Sequence, residues 1–219
     1  MCGRFTLHTS SSELVRIFQL IRPPTDVAVR WNIAPTQQVL AVRQSDEGRE
    51  PVWMRWGLIP SWAKDAKIGN SLINARAETI SEKPSFRTAF KRRRCLVIAD
   101  GFYEWSKFEK AKVPYLIKLR SRSTFAFAGL WEQWKEPTGD WIESTTIITT
   151  NPNSLMASIH DRMPVILPSE RYDEWLNVST QDVQQLQKLL IPYPPEDMET
   201  EKVSSAINNA RNEVDPRIA

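Results

Sequence analysis

The chain has 219 residues, 41% of them apolar and 25% charged, and 29 Lys plus Arg against 26 Asp plus Glu give a formal net charge of +3. This length suffices to bury a hydrophobic core, and the composition excludes disordered, collagen-like and membrane-spanning classes. A charge of +3 is too small to identify a polyanionic partner, so the distribution of the basic residues has to decide. Nine tryptophans indicate flat apolar surfaces, in the core or as stacking platforms.

The cysteine and histidine content argues against metal and disulfide chemistry. Cys2 and Cys95 are far apart, they form no Cys-x-x-Cys motif, and the chain has two histidines. A disulfide framework is therefore excluded, and a structural zinc site is not expected. We expect free thiols, no metal and no cofactor.

The first ten residues lack the basic and apolar regions of a secretory signal. No apolar run approaches the roughly 18 residues of a transmembrane helix. We therefore expect a cytoplasmic protein, associated with the nucleoid if the source is bacterial, and no membrane partner.

Hydrophobic periodicity predicts a helix, a proline-bounded loop and a hairpin near the N-terminus. The predicted bounds are residues 10–21 for the helix, 31–35 for the loop, and 37–43 and 51–56 for the two strands. Ser10 and Glu13 match the capping-box pattern at the start of the helix, and Pro23-Pro24 would end it.

The remaining pattern predicts helices at 84–93, 154–160, 169–176 and 181–190. Strands are predicted at 95–99, 102–105 across an Asp100-Gly101 turn, 115–119, 125–130, 145–150 and 203–207. The strands come in antiparallel-looking runs without regular βαβ alternation, which indicates an α+β fold. We predict a single domain over 1–219 with a curled, mostly antiparallel sheet or barrel flanked by helices, closed by a C-terminal tail from about 195 to 219.

Cys2 directly follows the initiator methionine. Cytosolic processing normally removes Met before a small residue, which leaves a cysteine with both a free α-amine and a thiol. Their ordinary pKa values, roughly 7.7–8.0 and about 8.5, would give both groups a reactive fraction at neutral pH. Taken alone, a cysteine in second position is more often an ordinary residue.

Six separated strings give the chain a family resemblance. They are MCGRF, NIAPT, WGLIPSW, NARAET, RCLVIADGFYEW and HDRMP, which begin at Met1, Asn32, Trp56, Asn74, Arg94 and His160. With the tail from Val203, they closely resemble the SRAP family (SOS response-associated peptidase) over nearly the whole chain. The resemblance implies a protein that detects abasic sites in single-stranded DNA and crosslinks to them covalently, protecting the strand from breakage.

The chemistry of an N-terminal cysteine fits this activity independently. A ring-opened abasic site is an aldehyde, and an amine and a thiol on adjacent carbons condense with an aldehyde first to an imine and then to a thiazolidine. The second bond closes within one molecule, so the adduct outlives a plain Schiff base.

The resemblance also places Glu104, His160 and Asn74 with Cys2 as catalytic residues. Glu104 and His160 would carry the proton transfers, His160 as an acid in opening the sugar ring, while Asn74 would hold the abasic sugar or orient the Cys2 amine. Each also has an ordinary alternative as a surface carboxylate, a helix cap or a turn residue.

Strand alternation puts Glu104 and Phe102 on one face of their strand, with Tyr103 and Trp105 on the other. The apolar string around Glu104 suggests burial, which would raise its pKa toward a useful general acid–base value.

A single-stranded DNA partner requires phosphate contacts and apolar platforms. Arg4, Arg76 and Arg162 flank the reactive strings and are predicted to contact phosphates. The other predicted DNA-binding residues are Asn32, Pro35, Trp62, Met163 and Pro164, the last four as a wedge or stacking surface. The basic run 91–94 is more typical of a solvated helix end, although it can extend a positive channel.

Three other activities remain open. Glutamine amidotransferases with an N-terminal nucleophile also begin Met-Cys-Gly. A thiol peptidase or autoprotease would use Cys2, Glu104 and His160, and a non-catalytic module would use only arginines and tryptophans to bind single strands. We expect a monomer whose partner is single-stranded DNA with an abasic site, and replication-fork partners are not identified.

Overall fold

Thirteen strands build two sheets in the part of the chain that the computed structural model describes, residues 2–106 and 112–218. The strands are β1 (Phe5–Leu7), β2 (Arg30–Ile33), β3 (Gln38–Ser45), β4 (Gly48–Trp56), β5 (Asn74–Arg76), β6 (Arg94–Ala99), β7 (Gly101–Trp105), β8 (Pro114–Leu119), β9 (Phe125–Lys135), β10 (Trp141–Thr150), β11 (Met163–Pro164), β12 (Ile166–Leu167) and β13 (Met198–Lys202). The helices are α1 (Ser11–Phe18), α2 (Arg87–Arg92), α3 (Ser154–Ala157), α4 (Tyr172–Leu176) and α5 (Val183–Gln187). Short 3-10 turns occupy Ala66–Ser71, Ser169–Arg171, Pro195–Asp197 and Ser205–Asn208.

Five strands close on themselves as a barrel. Hydrogen bonds run in the order β10-β4-β3-β6-β9 and return from β9 to β10. Neighbours are antiparallel except β4 and β10, which are parallel. Phe5 enters the core beside the barrel, with its ring centroid 5.1 Å from that of Trp56 and 5.9 Å from that of Phe127. The structure confirms the predicted α+β fold with a curled, mostly antiparallel sheet or barrel.

The second sheet has the order β13-β8-β7-β1-β2 and carries the N-terminal strand in its interior. The chain passes into it from the barrel at Asp100, where β6 ends and β7 begins. The Asp100 carboxylate accepts hydrogen bonds from the amides of His8 and Thr9, at 2.6 and 2.9 Å. This carboxylate fixes the end of β1 against the start of β7, so residues 101–105 run beside residues near the N-terminus.

Most predicted elements are present, with helices that are shorter and strands that are longer than predicted. Ser10 caps α1, where its hydroxyl accepts from the Glu13 amide, and Gln19 ends the helix in the left-handed conformation, before Pro23. The hairpin of β3 and β4 is confirmed, with Ser45 opposite Gly48. No helix in the described ranges is long and apolar enough to cross a membrane.

Two predictions were wrong. The loop expected at 31–35 contains β2, because Arg30–Ile33 pairs with β1 and completes the second sheet. The strand expected at 203–207 lies earlier, at Met198–Lys202, where a mostly polar segment pairs with the edge of β8. Ile207 is instead buried in a 3-10 turn, where it packs in a small cluster with Tyr103 and Leu116.

Candidate functional site

The first residues of the chain are held on several sides. β1 lies between β2 and β7, and the Tyr103 amide extends this pairing to the Arg4 carbonyl, at 2.9 Å. Asn74 Nδ2 donates to the Cys2 carbonyl at 2.9 Å, and Cys2 Sγ lies 3.9 Å from the Arg4 carbonyl oxygen. Cys2 is fully buried. Its position is therefore determined by strand pairing and by a side chain 72 residues away.

Glu104 faces Cys2 from β7. The alternation expected from sequence is confirmed: Phe102 belongs to the main core, whereas Tyr103 packs with Trp105 in a separate cluster. Glu104 is 3% exposed, and its negative charge acts on the Cys2 thiol. A carboxylate and a thiol thus share one buried environment.

Burial raises the pKa of the Cys2 thiol far above its ordinary range, and the charge of Glu104 raises it further. Burial is also the main cause of the raised pKa of the Cys95 thiol, which is about 12. In the chain that retains Met1, this shift disfavours a thiolate at neutral pH, because water that would stabilise the anion is excluded. The expected reactive fraction of a Cys2 that has become the first residue stays a prediction. Met1 lies outside the described residues.

His160 follows α3 and is oriented by the backbone. Its amide donates to the Met156 carbonyl at 2.8 Å, and its Nδ1 accepts from the Arg162 amide at 3.0 Å. A backbone N–H can only donate, so the neutral ring carries its proton on Nε2. Asp161 Oδ1 lies 3.0 Å from Nδ1, a contact that becomes an ion pair when the ring is protonated. The two contacts favour opposite protonation states of Nδ1, and Nε2–H is the proton donor in the neutral form that accepts from the Arg162 amide.

The C-terminal end of β10 gathers the segments that carry the other predicted residues. β5 pairs with it in parallel, with Asn74 opposite Ile147 and Arg76 opposite Thr149. β11 pairs with it on the other side, with Met163 opposite Thr150. Because His160 and Arg162 immediately precede β11, they arrive at the strand end that also receives Asn74 and Arg76.

The arginines at this strand end differ in how far they are already engaged. Arg162 binds both carboxylate oxygens of Glu78, at 2.6 and 3.0 Å, and donates to the Thr149 carbonyl at 2.6 Å. These hydrogen bonds lower the pKa of Glu78 below its ordinary value. Arg76 is exposed, and its side chain makes no hydrogen bond or ion pair with another described residue. Arg76 is therefore the arginine most available to an anion.

Asn32 ties the N-terminal strands to the C-terminal segment. It is fully buried; its Nδ2 donates to the carbonyls of Ile207, Asn209 and Asn212 at 2.8–3.2 Å, and its Oδ1 accepts from Arg4 Nη1 at 2.8 Å. The same Arg4 nitrogen donates to the Ile207 carbonyl at 2.9 Å. The predicted DNA contact from Asn32 is therefore corrected to an internal one, because its amide is buried and saturated by the protein.

The predicted apolar platform is only partly at the surface. Trp62 is 58% exposed and Pro35 is half-buried. Met163 and Pro164 are both buried in β11, which pairs with β10. An exposed wedge from Met163 and Pro164 is thus corrected, and Trp62 is the large aromatic surface that remains.

Sequence reasoning missed two parts of this region. Glu78 was not predicted as a partner for a basic residue, although it stands two positions after Arg76 in the same string. The segment 204–218 was expected only to close the fold, yet its backbone carbonyls bind Asn32 and Arg4. The Asn208-Asn209 pair in that segment was the available signal.

A family profile, named relatives and a solved structure each match nearly the whole chain. A profile described as SOS response associated peptidase (SRAP) matches residues 1–210. The abasic site processing protein YoqW of Bacillus subtilis (strain 168) is 48% identical over 215 residues, which cover 97% of this chain and 96% of that protein. The abasic site processing protein HMCES of Pongo abelii is 34% identical, covering 97% of this chain and 74% of that protein. A crystal structure of a protein from Bacteroides thetaiotaomicron matches with a TM-score of 0.86 at 29% identity, covering 99% of this chain and 98% of that one.

Replacement of Asn32 tests the connection between the two ends of the chain. Asn32→Ala should lower the free energy of unfolding by about 2–4 kcal/mol, because it removes several hydrogen bonds and leaves Arg4 without its amide acceptor. It should also speed tryptic cleavage at Arg211 under native conditions. Urea denaturation and timed proteolysis measure the two effects. Gln44→Ala, at an exposed position of β3, is the control, and equal behaviour of the two variants would contradict the assignment.

Proposed function

The chain belongs to the SRAP (SOS response associated peptidase) family, and from this membership we propose that it senses abasic sites in single-stranded DNA and forms a covalent crosslink to them through Cys2. The observation that carries the proposal is the arrangement around the second residue, where Asn74 holds the Cys2 carbonyl and Glu104 faces the thiol. The names of the relatives, abasic site processing proteins, support the substrate. We further propose that the protein acts in the cytoplasm as a monomer.

The reaction requires Cys2 as the first residue, so we propose that Met1 is removed. The released α-amine adds to the aldehyde carbon of the ring-opened abasic sugar, and the resulting carbinolamine loses its hydroxyl as water to give an imine. The thiol sulfur then bonds to the same carbon, and the thiol proton passes to the imine nitrogen. One aldehyde, one amine and one thiol thus give a thiazolidine and one water.

Glu104 is suited to the proton transfers at the amine and thiol, because it shares their buried environment. It would take a proton from the attacking amine and return it to the departing hydroxyl. A thiol kept protonated by burial fits the second step, in which sulfur attack and proton transfer are coupled. In the reverse reaction, the carbon–sulfur bond breaks as the proton on the ring nitrogen returns to sulfur, and the same carboxyl group would relay that proton.

His160 is assigned to the sugar. Opening of the cyclic sugar needs a proton on the ring oxygen, and the neutral imidazole carries its proton on Nε2, since Nδ1 accepts from the Arg162 amide. His160 would therefore act as the acid that generates the reactive aldehyde.

Asn74 is assigned to orientation of the amine. Its Nδ2 already donates to the Cys2 carbonyl, and its Oδ1 is buried without a hydrogen-bond partner among the described residues. An unused acceptor next to the Cys2 backbone suits the N–H of the released α-amine. Asn74 would thus bind the carbonyl and the amine of one residue through its two amide atoms.

The requirement for Cys2 is tested with an oligonucleotide that carries one abasic site. The processed protein should give a band that survives a denaturing gel without borohydride reduction. Cys2→Ala should abolish that band, and Cys2→Ser should leave at most a labile adduct, whereas Cys95→Ala should keep it because Cys95 lies in the core. Full crosslinking by a chain shown by intact mass to retain Met1 would falsify the mechanism.

Glu104 and His160 should act on rate rather than on affinity. Glu104→Gln and His160→Ala should slow crosslinking by about 10²- to 10⁴-fold, the usual contribution of positioned proton transfer, and leave binding to intact single strands nearly unchanged. Single-turnover kinetics at saturating DNA and fluorescence anisotropy measure the two quantities. Glu47→Gln, in the exposed hairpin turn, is the control. Loss of binding with an unchanged rate at saturation would remove the assigned role.

We propose Arg4, Arg76 and Arg162 as phosphate contacts, and Arg76 gives the cleanest test because its side chain is uncommitted. Arg76→Ala should flatten the dependence of log K on log salt by about 0.7, the value for one contact on a single strand, in all base sequences. Arg162→Ala should in addition lower stability, since it leaves Glu78 without its partner. Anisotropy titrations at several salt concentrations measure the slopes, with the surface variant Arg16→Ala as control. A salt slope of Arg76→Ala equal to that of the control would exclude Arg76 as a phosphate contact.

A further inference from the structure

A basic cavity lies beside α2, apart from the residues around Cys2. Its volume is about 390 Å³, and it is lined by Ser81, Arg87, Thr88, Lys91 and Arg92. The three cations come from one helix face and the helix end, and the two hydroxyls come from α2 and the turn before it. None of the described residues that line the cavity is acidic.

The four residues of the basic run 91–94 fall into two pairs, one bound to other protein groups and one exposed. Arg93 pairs with Glu132, and buried Arg94 donates to backbone carbonyls that include those of Phe90 and Trp175. The side chains of Lys91 and Arg92, in contrast, are exposed and have no hydrogen bond or ion pair with another described residue.

Arg87 is likewise exposed and without such a partner among the described residues. Three like charges around one cavity repel each other, and an anion removes this repulsion. Guanidinium groups and hydroxyls together are the donors that bind phosphate oxygens. The chemistry of the lining therefore selects a phosphate group.

The cavity lies a short chain distance from the proposed DNA contact at Arg76. Two successive turns connect them, closed by the hydrogen bonds from Thr79 N to Arg76 O and from Glu82 N to Thr79 O, both 3.1 Å. The five Cα–Cα steps from Arg76 to Ser81 span at most about 18 Å even when extended. One DNA strand advances about 3.4 Å per nucleotide in a duplex, so this span corresponds to about five nucleotides or fewer.

We propose that this cavity binds a backbone phosphate of the damaged strand, within about five nucleotides of the lesion. The position of the cavity relative to the lesion rests on the proposed function, whereas the binding of phosphate in the cavity does not. The cavity would lengthen the stretch of DNA that the protein binds on one side of the abasic site. Its contribution is to affinity, because none of its residues reaches the reacting atoms.

The test compares two triple variants. Arg87→Gln, Lys91→Gln and Arg92→Gln together remove the cavity charges, while the backbone carbonyls that Arg94 uses stay in place. The matched control replaces three exposed residues elsewhere, Arg16, Arg120 and Arg122, each by Gln. Anisotropy is measured with lesion-free single strands of 3 and 16 nucleotides at several salt concentrations.

The cavity variant should bind the longer strand more weakly than wild type and bind the shorter strand nearly as well. Its salt slope on the longer strand should be flatter by about 0.7 for each phosphate that the cavity no longer binds. The control should match wild type on the longer strand. Equal effects of the two triple variants, or equal weakening on both strand lengths, would overturn the proposal.

A second arm uses abasic strands with a two-nucleotide flank on one side of the lesion and twelve on the other. At limiting DNA, the cavity variant should crosslink more slowly than wild type in one of the two orientations of the long flank, and at the same rate as wild type in the other. Equal rates for wild type and the variant in both orientations would overturn the position assigned to the cavity. If the wild-type protein forms no crosslink at all, the proposed function fails, and the anisotropy arm still decides whether the cavity binds phosphate.

Discussion

The site depends on the immobilisation of the N-terminus. Chain ends usually fray, and a reactive group on the second residue would lose its orientation with them. Here β1 starts at Phe5 and is hydrogen-bonded on both edges, so Cys2 lies only three residues from a strand inside a sheet. Asn74 fixes the Cys2 carbonyl, and Asn32 joins Arg4 to the C-terminal segment. Burial of the thiol beside Glu104 is the consequence of this immobilisation.

Positive charge is divided between structural and available side chains. Arg94 is almost fully buried, and burial lowers its pKa to about 10 while its guanidinium binds carbonyl groups at the ends of α2 and α4. Arg162 is engaged by Glu78. Arg76 and the basic residues of the cavity beside α2 are among the cations that have no hydrogen bond or ion pair with another described residue. A net charge of +3 conceals this separation, because arginines that bind carbonyls and arginines that face solvent count equally in a sum.

Elements with a one-sided hydrophobic pattern were predicted well from sequence. α1 has a capping residue and apolar spacing, and the apolar run of β3 and the alternating β4 pair around a short turn, so local interactions determine both. β2 and β13 were missed because their pairing partners are distant in the chain. The segment Met198–Lys202 has a solvent-facing pattern that resembles a loop, and only the free edge of β8 makes it a strand.

The amino-acid sequence by itself determined the fold class, the order of most elements, the family and the face of β7 on which Glu104 lies, because short-range periodicity and contiguous strings carry that information. Only the tertiary structure decided which of the predicted contact residues are buried and which polar groups are already hydrogen-bonded within the protein. Asn32, Met163 and Pro164 lie in strings that indicate DNA contact, yet all three are buried, Asn32 against the C-terminal segment and the other two in β11, which pairs with β10. The carbonyl groups that saturate Asn32 lie more than a hundred residues away, and local sequence does not specify how such distant segments meet.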